Sequence, residues 1–235
     1  MSPRAWPALA LMCLLPQAHA ARVVSVRIRR SGAHFLIRMR ITLDAPPAAV
    51  FQALKDYAAL PRYEPDVRAL RTEATREPDR VRLFMTIHAC VLFFCKRMHQ
   101  EQIMTASPTG DGGVVRSELV PQGSDFRQGR GLWRVAPCPS GSPSSCLNVR
   151  IEAVPSFWVP PVIGPWLIRR KLREQAHRAS LGLEQIARAR ALRQAPPKSA
   201  RRHLRAIDPN TPTPISSPAH APRAARRRSR PKPGG

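Results

Sequence analysis

Ile41-Thr42-Leu43-Asp44-Ala45-Pro46-Pro47-Ala48-Ala49-Val50-Phe51-Gln52-Ala53-Leu54-Lys55-Asp56-Tyr57-Ala58-Ala59-Leu60-Pro61 is the stretch on which the fold turns. It opens on the end of a strand. Phe35, Ile37, Met39, Ile41 and Leu43 alternate with Leu36, Arg38, Arg40 and Thr42, the period-two pattern of a half-buried strand. Asp44 then reads as an N-cap, with Pro46-Pro47 in the first helical turn, where a missing N–H is harmless. The helix so opened runs to about Lys55 and buries Val50, Phe51 and Leu54. Asp56 to Tyr63 reads as a second short helix, stopped by Pro61 and Pro65.

On the N-terminal side, Val24, Val26 and Ile28 alternate with Ser25, Arg27 and Arg29 before Ser31-Gly32. This predicts a first strand in a hairpin with the one above. On the C-terminal side, Val67–Glu73 is a short strand, and Val81, Leu83, Met85 and Ile87 alternate with Arg82, Phe84, Thr86 and His88. Phe93–Met104, Val114–Pro121, Phe126–Val135 and Leu147–Glu152 continue the strand run, with a Cys/Pro/Gly/Ser-rich loop over Pro137–Ser145. The apolar, proline-broken segment Phe157-Trp158-Val159-Pro160-Pro161-Val162-Ile163-Gly164-Pro165-Trp166 leads into a long helix ending near Leu192. Leu172, Ala176, Ala179, Leu183, Ile186 and Ala187 step by threes and fours into one apolar stripe. Arg169, Arg170, Lys171, Arg173, Arg178, Arg188 and Arg190 give that helix a basic outer surface. Strands and two short helices, a run of strands, then one long helix predict an α+β fold with an antiparallel sheet.

The ends differ from the middle. At 235 residues and 43% hydrophobic, the chain can bury a core, which excludes wholesale disorder. The formal charge is +24, and from Arg193 to Gly235 eleven Lys and Arg face one acid, Asp208, with nine prolines. Residues 193–235 read as a disordered basic tail. Such a tail attracts anionic membranes or, in a chain that stays inside the cell, nucleic acid. Residues 1–20 carry Arg4, a short apolar run from Ala8 to Leu15 and Ala18-His19-Ala20, the pattern of a signal peptide cleaved after Ala20. That apolar run is too short for the roughly 20 residues a bilayer needs. Met12 before Cys13 departs from a lipoprotein signal. The expected location is exported and periplasmic, and the domain is expected over residues 21–192. Removing Cys13 leaves Cys90, Cys95, Cys138 and Cys146, an even set whose short spacings favour Cys90–Cys95 and Cys138–Cys146 disulfides. His88 and His99 flank the first pair, but no cluster has zinc spacing, so no metal site is expected.

The opening segment resembles START-like proteins, in particular the polyketide cyclase/dehydrase and coenzyme Q-binding branch. Strand, Ala45-Pro46-Pro47-Ala48-Ala49-Val50 helix entry, Asp56-Tyr57 turn before Pro61, and Pro65-Asp66-Val67 sit where that branch has them. Gly131-Leu132-Trp133-Arg134-Val135 and the Phe157-Trp158-Val159-Pro160-Pro161 entry to the last helix also resemble exported bacterial members. The resemblance covers about residues 34 to 192 and leaves the tail out. It implies a helix-grip fold, a curved antiparallel sheet wrapped around the C-terminal helix with a cavity between them. It implies an apolar ligand (lipid, quinone or polyketide-like), no cofactor, and either carriage or cyclase/dehydratase chemistry.

Candidate cavity residues are Leu83, Met85, Ile87, Leu119, Leu147, Val149 and Ile151 on the inward strand faces, with Tyr57, Tyr63 and Trp133 as aromatics near a mouth. Phe157, Trp158 and Trp166 form a plug at the helix entry or a gate facing a membrane. The titratable pool for acid/base work is His88, His99, Glu101, Asp125 and Glu152. An enzymatic reading would use His88 or Glu152. Neither a Ser/His/Asp order, a Gly-rich phosphate loop nor an H-E-x-x-H motif is present.

Overall fold

A computed structural model describes residues 21–91, 94–139, 144–159 and 165–194. Residues 1–20, expected as a signal peptide, Trp166's side chain and the expected basic tail beyond residue 194 lie outside the described residues. The elements are β1 (Arg22–Ser31), β2 (His34–Leu43), α1 (Pro47–Lys55), α2 (Leu60–Tyr63), β3 (Val67–Ala74), β4 (Arg80–Val91), β5 (Phe94–Thr109), β6 (Gly112–Leu119), β7 (Phe126–Pro137), β8 (Ser145–Pro155) and α3 (Pro165–Gln194). The eight strands form one antiparallel sheet in the order β1-β2-β8-β7-β6-β5-β4-β3. The α1–α2 connection carries the chain from β2 to the far edge at β3. A meander then returns it to β2. The sheet curves around α3, an α+β helix-grip arrangement.

Local chemistry accounts for the turns. Gly32 at φ 57° and Gly110 at φ 51° supply the left-handed residue that their hairpins need. Pro46, not Asp44, is the N-cap residue of α1, and no side chain caps that end. Pro61 stands in the first turn of α2, so it opens that helix instead of stopping it. Asp44 is drawn away by α3. Its backbone N–H donates to Glu184 Oε2 at 2.8 Å, and its carboxylate meets Arg188 Nη2 at 2.6 Å. Arg188 Nη2 also pairs with Glu184 Oε1 at 2.9 Å, and Arg188 Nε donates to the Asp44 carbonyl at 2.8 Å. Arg190 bonds the Asp56 carboxylate. Two cations of the expected basic outer surface therefore turn inward and tie the last helix to both ends of α1.

The core lies where α1, α2 and the C-terminal half of α3 meet the sheet. Leu43, Val50, Ala53 and Ala187 are fully buried in one cluster. Phe51, Leu83, Met104 and Val115 make a second, and Trp133 packs against both. Gly182 interrupts α3 at a price in helix propensity of about 1 kcal/mol. A Cβ there would stand 2.5 Å from Tyr63 Cβ, so only glycine lets α2 seat on the helix. Cys90 is bonded to Cys95 across a facing β4–β5 pair, and Cys138 to Cys146 at the β7–β8 end. Both bridges close neighbouring strands, as the spacing predicts.

The outer face of the sheet is basic. Register places Arg27, Arg38, Arg150, Leu132 and Arg116 in one row, and Arg40, Asn148 and Arg134 in the next. Like charges directly opposite destabilise a strand pair, yet Arg27 faces Arg38. Among the described residues no carboxylate pairs with Arg27, Arg38, Arg40, Arg116 or Arg134, all of them exposed.

Candidate functional site: an apolar cavity between sheet and helix

A cavity of about 480 Å³ lies between the inner face of the sheet and α3. Alternation builds its floor. Ile37, Met39 and Ile41 of β2 pair with Ile151, Val149 and Leu147 of β8, so their side chains share the inner face. Leu83, Met85 and Ile87 bring β4, and Leu119 brings β6. The roof is the helical stripe, with Leu172, Ala176, Ala179 and Leu183 all on the wall. All seven inward strand residues expected from the sequence border this space, together with Tyr57, Tyr63 and Trp133.

Trp133 is held there by a glycine. A Cβ on Gly131 would stand 2.4 Å from the indole ring and 2.5 Å from Ser117 Oγ. The ring therefore lies over Gly131, which leaves its far side to the cavity. Burial pushes the Tyr57 hydroxyl up to about 12, and it raises Tyr63 further still, with Glu64 and Asp56 adding to the effect. Both phenols stay neutral donors at any physiological pH.

Phe157 and Trp158, expected as a plug or gate at the helix entry, are not among the residues that border the cavity. The Ser156 N–H donates to the Asp125 carbonyl at 3.0 Å, fixing the chain where β8 ends. Phe157 then packs edge-to-face behind the wall residue Phe126, ring centres 5.9 Å apart, with the Lys96 ammonium 5.1 Å from its ring. Trp158 is 73% exposed.

The acid/base pool is committed elsewhere. His88 follows the inward Ile87 and faces Arg97 in the register. His99 Nδ1 meets Thr86 Oγ1 at 3.2 Å, and the His99 N–H donates to Asp125 Oδ2 at 2.7 Å. Glu101 pairs with Arg82 at 3.2 Å. Glu152 borders the cavity, but its carboxylate accepts from Arg150 Nε at 2.9 Å. His88 also comes within 4.8 Å of the Cys90 and Cys95 sulfurs. Joined to each other, those sulfurs are not the thiolates a metal would need.

Sequence reasoning missed the polar groups of the wall. Glu64, Asp66 and Gln175 border the cavity, and Gln175 Nε2 donates to Asp66 Oδ2. Burial, and then the nearby Asp66 charge, raise Glu64 from 4.5 to about 7, while Arg178 pulls the other way. A carboxyl raised in the folded state holds its proton after the unfolded chain has lost it. Stability from this group is therefore full below about pH 4.5, declines as the pH rises towards about 7, and changes no further above that. Glu64→Gln is expected to flatten that decline, read as melting temperature against pH. An unchanged slope would show that Glu64 is not its source. Gln100, Gln102 and Ser117 also face inward. Their signal was present in the phase of Met98, Gln100, Gln102 and Met104, which alternate with Arg97, His99 and Glu101.

No helix among the described residues is long and apolar enough to cross a membrane. A search of curated proteins finds no match. Among solved structures, a STAR-related lipid transfer protein from Xanthomonas axonopodis is 20% identical with TM-score 0.51, over 75% of this chain and all of that one. Human STARD10 is 14% identical with TM-score 0.50, over 79% of this chain and 80% of its own. The di-domain ARO/CYC BexL from the BE-7585A biosynthetic pathway is 14% identical with TM-score 0.50, over 72% of this chain and 52% of its own. At these identities the likeness is one of fold. The family model described as polyketide cyclase / dehydrase and lipid transport matches residues 34–184. With that match over most of the chain and a helix-grip fold around an apolar cavity, the protein belongs to the polyketide cyclase / dehydrase and lipid transport family of START-like proteins.

Proposed function

We propose that this protein is an exported carrier that holds an apolar ligand, a lipid, quinone or polyketide-like molecule, in the cavity between sheet and α3, and works at an anionic membrane surface. The observation that carries the reading is the cavity itself. It is about 480 Å³, within the range of small-molecule sites, and about half of its lining residues are Leu, Ile, Val or Met. Two disulfides suit an oxidising compartment, and the leader-like residues 1–20 supply the route. The membrane part of the reading is supported by the exposed Trp158, by Arg169, Arg170 and Arg173 on α3, and by the arginine rows outside the sheet. Each such cation near an anionic surface contributes about 1 kcal/mol at low screening. The tail of residues 193–235 would add to this attraction.

Vesicle flotation tests the surface part. Binding to vesicles containing one-third phosphatidylglycerol is expected, with at least ten-fold weaker binding to pure phosphatidylcholine and loss at high salt. Equal binding to both vesicle types would remove the membrane from the account.

A second reading, cyclisation or dehydration of a keto substrate, is favoured by one group only. Glu64 is a near-neutral carboxyl bordering the cavity and could serve as a general acid. It requires turnover of a poly-β-keto thioester that Glu64→Gln abolishes.

A further inference from the structure

Gln100 and Gln102 stand on the inner face of β5, between Met98 and Met104. Across the sheet they face Met85 and Leu83 of β4, and Gln102 faces Leu119 of β6. The strand pattern asks for apolar side chains at both positions. An amide placed there without partners is destabilising. The two amides answer each other only once, at 2.7 Å from Gln102 Nε2 to Gln100 Oε1. Whichever amide is the donor, that bond uses one of four N–H hydrogens and leaves three. No other side-chain partner for either amide occurs among the described residues.

A third group joins them. Ser117 pairs with Met104 in the β5–β6 register, one diagonal step from Gln102. It is nine-tenths buried, at 9% exposure, and borders the cavity. Its hydroxyl has no partner among the described residues. Gly131 opposite lacks the side chain that would otherwise cover this hydroxyl.

The geometry points to a recognition site for a carbonyl oxygen on this strip: the ligand is an apolar molecule bearing a keto or ester group, seated with its oxygen on the Gln100 and Gln102 amides and the Ser117 hydroxyl. The strip carries no charge and keeps three amide N–H donors and a hydroxyl unused, so it suits a neutral oxygen such as a carbonyl better than an anion or an ammonium group. A pure hydrocarbon would leave these donors unpaired and bind less well for it. This inference rests on the carrier reading and names the class of ligand that the cavity selects.

The test uses fluorene and fluoren-9-one, which differ by one carbonyl oxygen, titrated by calorimetry into the full chain. Between wild type and Gln100→Met/Gln102→Met, the ratio of the fluorene Kd to the fluorenone Kd is expected to fall about ten-fold, the value of one neutral hydrogen bond. Ser117→Ala, which removes one buried hydroxyl and little volume, is expected to shift the ratio in the same direction about three-fold. The infrared carbonyl stretch of fluorenone bound to wild type gives a reading that no variant's folding can confound. It is expected below its position in hydrocarbon solvent. An unchanged ratio with an unshifted stretch would overturn the carbonyl site and leave the carrier intact. Failure of both probes to bind wild type would overturn the carrier reading and this one with it.

Discussion

Arg188→Ala is expected to lower the free energy of unfolding by about 3 kcal/mol, the lower end of what breaking a buried ion pair costs. The reason is Glu184. Its side chain is only 6% exposed, and Arg188 is the cation that meets it. Without the guanidinium, the carboxylate keeps the Asp44 N–H and loses its counter-charge. Arg188 itself is 40% exposed, which holds the effect near the bottom of the range. For a domain of this size the melting temperature should drop by roughly 6–12 °C. Replacing the pair together, Glu184→Leu with Arg188→Met, is expected to recover most of the loss, because no buried charge is then left alone. A melt of Arg188→Ala at the wild-type temperature would show that the clamp does not hold α3 to the β2–α1 junction.

The second large effect is on binding. Val149 is 4% exposed and its side chain borders the cavity floor. Val149→Trp adds an indole to that space and is expected to weaken binding of N-phenyl-1-naphthylamine at least a hundred-fold, read by its fluorescence. Val149 belongs to the buried cluster as well as to the cavity wall, so overpacking there should cost about 1–3 kcal/mol of stability. Arg40→Trp, on the opposite face of the same sheet, places an equal ring outside and should leave binding unchanged. Unaltered binding by Val149→Trp would move the site away from the cavity.

The fold was readable because alternation is a strong signal when one face is buried. Ile37, Met39, Ile41 and their β8 partners declare the inner face without reference to anything distant. The stripe from Leu172 to Ala187 does the same for α3. What stayed hidden depends on contacts across the chain. Asp44 looks like a cap from its neighbours, and only α3, 140 residues later, shows why it is not one. Arg188 and Arg190 look like surface cations until Asp44 and Asp56 meet them. Phe157 and Trp158 are the densest readable aromatics, yet after β8 Phe157 packs against Phe126 and Trp158 stands exposed. Gln100 and Gln102 were in the right phase, but polar residues on an apolar face are easily read as an outward strand.

The central claim is that the cavity holds an apolar ligand. Native mass spectrometry of the full chain, taken from cells by gentle purification and followed by organic extraction, tests it most directly. The account predicts a bound mass that is released into the organic phase, is a small apolar molecule with a keto or ester carbonyl, and is absent from Val149→Trp. An apo mass from wild type that stays apo after incubation with N-phenyl-1-naphthylamine would contradict it.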